Sequence, residues 1–229
     1  MVPCPAMQDP DYVRRAFSSI ADRYVVTNHV LSLGVDIWWR RLTARRVAAL
    51  QPRRVLDLAT GSGDLAAAIR KRLPEAEIVA ADFCLPMLAH ARKRGLQSLI
   101  VADAMALPFE DASFDAVTVA YGLRNMASWP EAAAEMARVL RPGGHLLVLD
   151  FSLPAGWLRA PYRFYLHRLL PTVAGWITRR REAYEYLGGS IERFPSGQAM
   201  ESLLTTAGFT QTSTTPLMAG VSSLYVATR

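Results

Sequence analysis

Apolar and polar positions alternate with a helical period over residues 11–24 and 36–50, and the turn signal Ser32-Leu33-Gly34 lies between the two stretches. After Pro52 the pattern changes. Residues 55–59 form a short apolar run closed by glycines, which predicts a buried strand. A helix over 65–73 follows and stops before Pro74. The same alternation predicts a strand at 77–82, a helix at 85–94 ended by Gly95, and strands at 98–102 and 114–121. A helix at 129–140 then leads through Pro142-Gly143-Gly144 into a fifth strand at 144–151. Residues 152–195 break the rhythm, being aromatic, basic and punctuated by proline, and they read as an insertion over the strand ends. The rhythm returns with a helix at 197–207 and strands near 209–215 and 222–228.

Strands alternating with helices of about ten residues imply βαβ units, hence a parallel sheet covered on both faces. Right-handed crossovers then give a doubly wound sheet with ligands at the carboxyl ends of its strands. The expected fold is therefore α/β: a mostly parallel seven-stranded sheet, with N-terminal helices and a helical insertion before the last two strands.

Composition narrows the picture only a little. The chain has 229 residues, 51% hydrophobic and 20% charged, which suits one globular domain, or one with an insertion. A chain of this size buries roughly 70% of its unfolded surface without a disulfide or metal staple. Cys4 and Cys84 lie far apart in no metal-ligand spacing and read as reduced thiols of a cytoplasmic protein. Residues 1–10 lack a basic start followed by an apolar run, so no signal peptide is expected. The apolar stretch 157–177 carries Arg159, Arg163, His167 and Arg168 and is broken by Pro161 and Pro171, which argues against a membrane-spanning helix. The net charge is +6, with arginines grouped at 40–54 and 159–181. These groups read equally well as solvated helix faces or as a surface for acidic lipid or phosphate.

The candidate chemistry centres on residues 56–64, Leu-Asp-Leu-Ala-Thr-Gly-Ser-Gly-Asp, where a strand runs through Gly61-Ser62-Gly63 into a helix. Glycines there let a ligand approach the backbone. The spacing Gly61-x-Gly63-x-x-Ala66 fits a dinucleotide turn, and so an NAD-linked oxidoreductase. A carboxylate at Asp64 would repel a diphosphate, whereas Asp57 and Asp64 both suit a sulfonium amino acid. Asp64 serves equally as a simple helix N-terminal charge. Asp82 ends the second strand about twenty residues on, where a carboxylate accepts from ribose hydroxyls or else caps the next helix. Asp103-Ala104 follow the third strand and could read an adenine amino group, with Met105 and Leu107 near the ring or simply in the core. No His/Cys cluster suggests a metal.

Asp57-x-x-Thr-Gly-Ser-Gly, Asp82, Asp103-Ala104 and Leu140-Arg-Pro-Gly-Gly together resemble the motif series of class I methyltransferases over residues 53–151. Ala59-Thr60 stands where many such proteins have a further glycine. A narrower resemblance rests on residues 17–24 (Phe-Ser-Ser-Ile-Ala-Asp-Arg-Tyr), 27–32, Trp38-Trp39-Arg40-Arg41 and 121–125 (Tyr-Gly-Leu-Arg-Asn). Asp150-Phe151-Ser152-x-Pro154 and the tyrosine-rich stretch 184–195 extend it. From about residue 12 onward the chain is similar to the ubiquinone/menaquinone C-methyltransferases. Val25 departs from the aspartate usual after the tyrosine.

The resemblance implies S-adenosyl-L-methionine as cofactor, at Ser62, Asp82, Asp103 and Ala104, beside the Asp57, Gly61 and Gly63 already marked by the turn. It implies C-methylation of a prenylated quinol: demethylmenaquinol to menaquinol, with the ubiquinone precursor benzoquinol as the alternative. Arg124 and Asn125 are then expected to orient and stabilise a phenolate, or else Arg124 to fix the loop by a salt bridge and Asn125 to cap the helix near Ser128. Tyr24 is expected to close over the cofactor and help position the base or a water, or to be a core aromatic. His29 and His167 stay open as acid–base candidates, while His90 and His145 read as structural. Residues 1–51 form a helical segment covering the active site, 52–151 the cofactor-binding core, 152–195 the lid, and 196–229 the completion of the sheet. Arginines and aromatics in the lid suit peripheral contact with an anionic membrane at its cytoplasmic face. A nucleic-acid substrate is disfavoured, since there is no Asn-Pro-Pro-Tyr-type tetrapeptide and no spare RNA-binding domain. Oligomeric state is open, with a homodimer among the options.

Overall fold

The computed structural model describes residues 34–171 and 181–229, with side chains omitted for 181–186. Expectations for Cys4, residues 11–24, Tyr24, Val25 and His29 fall outside the described residues.

The strands are β1 (Arg54–Leu58), β2 (Glu77–Asp82), β3 (Ser98–Val101), β4 (Phe114–Ala120), β5 (Leu140–Phe151), β6 (Gln211–Leu217) and β7 (Ser222–Thr228). They form a seven-stranded sheet of order β3-β2-β1-β4-β5-β7-β6. The first five run parallel, and β7 enters antiparallel between β5 and β6. The helices are α1 (Val35–Ala49), α2 (Asp64–Arg70), α3 (Leu85–Lys93), α4 (Trp129–Val139), α5 (Arg159–Phe164), α6 (Arg181–Arg193) and α7 (Gln198–Thr206). The strand order reverses between β1 and β4, and that switch point is where an open α/β sheet leaves a crevice for ligand.

Both faces of the sheet are covered, which explains the nearly unbroken apolar runs of β1, β4 and β5. On one face Leu56, Leu58, Val117, Val119 and Val148 pack with Met136 of α4 and Met200 and Leu204 of α7. On the other, Val55, Ala116, Leu147 and Leu149 pack under Trp39 and Val47 of α1 and Leu65 and Ile69 of α2.

Two boundaries differ from the sequence expectation for physical reasons. Strand β5 starts at Leu140, directly after α4, because Leu140 already pairs with Phe114. The Pro142-Gly143-Gly144 turn is absorbed inside the strand as a register irregularity between Phe114 and Ala116. Strand β6 starts at Gln211, two residues past the expected start, because Phe209 is buried and its amide closes α7 by donating to the Leu204 carbonyl. β6 is an exposed, threonine-rich edge strand containing Pro216, a composition that discourages further pairing.

The insertion continues α5 into a π-helical turn at Tyr165–Leu169. It rests on the sheet through a small cluster of Leu166, Leu170 and Ile191 with Phe151 and Leu153.

Candidate active site

Strand β1 ends in a turn of left-handed residues: Ala59 (φ 51°), Gly61 (φ 56°) and Gly63 (φ 78°). Gly63 is required by packing as well, since a Cβ there would lie 2.5 Å from Leu96 Cδ1 and 3.0 Å from Ala91 Cβ. The turn is braced from β2. Asp82 Oδ2 accepts from the Gly61 amide at 2.8 Å, and its Oδ1 accepts from the Cys84 amide at 2.9 Å. Burial pushes the Asp82 carboxyl above the ordinary range, and the amides of Cys84 and Gly61 pull it back.

Asp57 lies beneath the turn, fully buried. Its Oδ1 accepts from Thr118 Oγ1 at 2.5 Å and its Oδ2 from Thr60 Oγ1 at 2.6 Å. Thr118 is the direct register partner of Asp57 on β4. Desolvation nevertheless raises this carboxyl to about 6 from 3.8, against the hydrogen bonds of Thr118 and Thr60. A raised folded-state value means the native protein binds the proton more tightly than the unfolded chain does. The resulting stability is fully present below about pH 4 and is lost as pH rises through 6, by on the order of 3 kcal/mol. Urea midpoints measured from pH 4 to 8 are expected to show this loss in the wild type and not in Asp57→Asn.

The ends of β1 and β4 approach so closely that a Cβ on Gly122 would sit 2.5 Å from the Ala59 Cβ. Gly122→Ala is therefore expected to cost about 1–3 kcal/mol as overpacking. Adding Ala59→Gly clears the clash and also relieves a left-handed alanine. The double variant should recover most of the lost thermal stability, and a purely additive pair would contradict the packing described.

Asp64 opens α2, as a helix N-terminal charge would. It accepts from Ser62 Oγ at 2.5 Å and pairs with Arg94 at 2.8 Å, so its charge is already balanced within the protein. Asp103 stands exposed just beyond β3, its Oδ1 accepting from the Met105 amide at 2.9 Å, while Ala104 is buried. Gly61, Ser62, Asp82, Asp103 and Ala104 thus gather at the carboxyl ends of β1, β2 and β3, with Asp57 below them.

The second half of the site is the 3-10 turn Leu123–Asn125 beyond β4. Tyr121 enters it with φ 60°, its amide donating to Leu149 O at 2.8 Å. Arg124 is 4% exposed, and its guanidinium is engaged within the protein. Nη1 donates to Asp150 Oδ1 and to the Tyr121 carbonyl, both at 2.7 Å. Asn125 Nδ2 donates to the same carbonyl at 3.4 Å. Sequence reasoning missed Asp150 and Thr118 as parts of the site. Asp150 stood out only within the Asp150-Phe151-Ser152-x-Pro154 resemblance, and Thr118 only as a polar residue inside the apolar run 116–120. His167 lies in the lid, its Nε2 2.9 Å from Glu192 Oε2, and Glu192 also pairs with Arg163. Among the described residues no cluster of His, Cys, Asp or Glu is placed to hold a metal.

The glycine turn and the strand-end carboxylate suit a nucleoside, which a sulfonium cofactor and a dinucleotide share. Asp82 is amide-anchored beside the glycine turn at the end of β2, the position from which a carboxylate in such folds accepts from ribose hydroxyls. The fold matches solved methyltransferases: a SAM-dependent methyltransferase from Thermotoga maritima superposes with a TM-score of 0.64 at 20% identity, over 93% of this chain and 99% of that one. Sheet order and glycine turn together define a Rossmann-like fold of the class I methyltransferase type. Residues 6–229 match the model of the ubiE/COQ5 methyltransferase family, and the chain belongs to that family. It is 48% identical to the demethylmenaquinone methyltransferase of Thermus thermophilus, covering 84% of this chain and 90% of that protein. It is 39% identical to the ubiquinone/menaquinone biosynthesis C-methyltransferase UbiE of Dinoroseobacter shibae, covering 93% and 88%. Membership in a methyltransferase family sets the oxidoreductase reading aside.

Proposed function

We propose that this enzyme uses S-adenosyl-L-methionine to methylate a ring carbon of a prenylated quinol, converting demethylmenaquinol to menaquinol. The carrying observation is the amide-anchored Asp82 beside the glycine turn, in a chain so similar to a demethylmenaquinone methyltransferase. S-adenosylmethionine, when bound, supplies an electrophilic methyl group. The chain's own residues then have three tasks. Asp82 takes the ribose hydroxyls, Asp103 and Ala104 the adenine edge, and Gly61, Ser62 and Gly63 leave backbone room between them. Asp57 holds the turn from below. The quinol carbon becomes nucleophilic once a neighbouring hydroxyl loses its proton, so the site must orient a phenolate and exclude stray water. Guanidinium stays protonated, so Arg124 cannot be the base. Bound to Asp150, Arg124 sets the turn, Asn125 is its polar group toward the phenolate, and Tyr24 positions the base or water.

A second reading, methylation of the benzoquinol precursor of ubiquinone, is favoured by the UbiE relatives, whose names carry both quinones. Turnover on demethylated naphthoquinol and benzoquinol side by side decides between them. A higher kcat/KM on the naphthoquinol supports the first reading, and the reverse supports the second.

We further infer peripheral contact with anionic membrane through the lid. Trp157, Phe164 and Leu169 are exposed there among Arg159, Arg163 and Arg168. No helix among the described residues is long and apolar enough to cross a membrane. Flotation with anionic liposomes is expected at low salt and should be lost in high salt or in Trp157→Ala/Phe164→Ala. Equal absence from anionic and neutral vesicles rejects the contact.

A further inference from the structure

Two arginines from different elements are joined through a pair of aromatic rings. Arg124 Cζ lies 5.2 Å from the centroid of Phe151. Phe151 packs tilted against Tyr121, with centroids 4.7 Å apart. Arg40 of α1 places its Cζ 5.0 Å from the centroid of the Tyr121 ring. Each arginine has its own buried carboxylate: Arg124 pairs with Asp150, and Arg40 with Asp36 one helical turn away.

Tyr121 is where this set meets the site. Its left-handed backbone is a strained conformation for a residue with a Cβ, and such strain persists only where the surroundings impose it. That conformation points the Tyr121 carbonyl at both polar side chains of the following turn, Arg124 and Asn125. A guanidinium over a ring is attracted by the ring's negative face, most strongly where water is excluded. The Arg40 side chain is mostly buried and the Tyr121 ring almost wholly so. The same guanidinium also favours the ionised form of Asp57, so it acts on both halves of the site.

We propose that Arg40 is a positioning residue: seated on the Tyr121 ring, it holds Tyr121 in its left-handed conformation and so sets the turn that carries Arg124 and Asn125. The inference rests on the proposed quinol methylation, in which that turn faces the quinol. It adds a residue of α1 that acts through the Tyr121 ring.

The test uses the full chain. Arg40→Met is made together with Asp36→Asn, so that no buried carboxylate is stranded, and is compared with Arg40→Lys, Tyr121→Phe and Tyr121→Leu. The first readout is hydrogen exchange at the amides of Asn125 and Met126, which bond to the carbonyls of Gly122 and Leu123. The Met/Asn double variant and Tyr121→Leu are expected to speed exchange there about tenfold or more while amides within β2 keep their rates. Arg40→Lys and Tyr121→Phe, which keep a cation and a ring, should restore slow exchange. The second readout is turnover with S-adenosylmethionine and demethylnaphthoquinol, where kcat should fall about tenfold and KM for S-adenosylmethionine stay within about twofold. Wild-type exchange at Asn125 in the double variant overturns the inference, as does equal acceleration in β2. If that variant fails to fold, Arg40→Gln against Arg40→Lys decides the same question. Exchange is read without substrate, so an inactive wild type would count against the proposed reaction alone.

Discussion

Asp150→Ala is expected to lower stability by about 3–5 kcal/mol, a large part of the roughly 5–15 kcal/mol that holds an ordinary domain. Arg124 and Asp150 are 3% and 0% exposed, and the pair closes at 2.7 Å. Removing the carboxylate leaves a guanidinium that cannot shed its charge inside a site shielded from water. Burial pushes the Asp150 carboxyl up, and the charge and hydrogen bonds of Arg124 pull it back. The ionised pair is therefore held by mutual need, so removing both charges should hurt less than removing one. Arg124→Met/Asp150→Leu is expected to regain much of the lost stability while remaining inactive, because the turn at Leu123–Asn125 loses its anchor. Urea denaturation and turnover measured on the same three proteins check both halves. A wild-type midpoint in Asp150→Ala would show that the pair does not hold the turn.

The second large effect concerns Asp82. Asp82→Ala is expected to weaken S-adenosylmethionine binding by about 100-fold or more, from the loss of two charge-assisted hydrogen bonds of about 1.5–3 kcal/mol each. A further part of the loss is indirect, since the amides of Gly61 and Cys84 lose their acceptor and the turn loosens. Asp82→Asn keeps an acceptor oxygen and should fall between the two. Titration calorimetry with S-adenosylmethionine reads the series directly. An affinity for Asp82→Ala close to wild type would remove Asp82 from the cofactor site.

The sheet was legible because parallel strands covered on both faces must be apolar runs, and glycine or proline closes most of them. Asp82 and Asp103 were legible for the same reason, as carboxylates standing just where such runs end. What escaped was tertiary. Arg124 meets Asp150 across 26 residues, on a neighbouring strand, and no local periodicity encodes that contact. Asp64 carried the right charge at the right place, yet Arg94, arriving from the end of α3, satisfies it. Arg40 read as one of a group of arginines on solvated helix faces or a surface for acidic lipid or phosphate until the fold placed it over Tyr121. Residues proposed to touch a ligand stood out through turns and strand ends. Residues that hold those ligand groups in place did so only once the strands were assembled.

The central claim is that this family member transfers a methyl group to carbon on a quinol ring. The most direct measurement incubates the purified chain with S-adenosylmethionine labelled in its methyl group and with demethylmenaquinol, and locates the label by mass spectrometry and NMR. Transfer to carbon predicts one labelled methyl on a ring carbon and an equal amount of S-adenosylhomocysteine. Label on a quinol oxygen, or none on the quinol while S-adenosylmethionine binds normally, would contradict it.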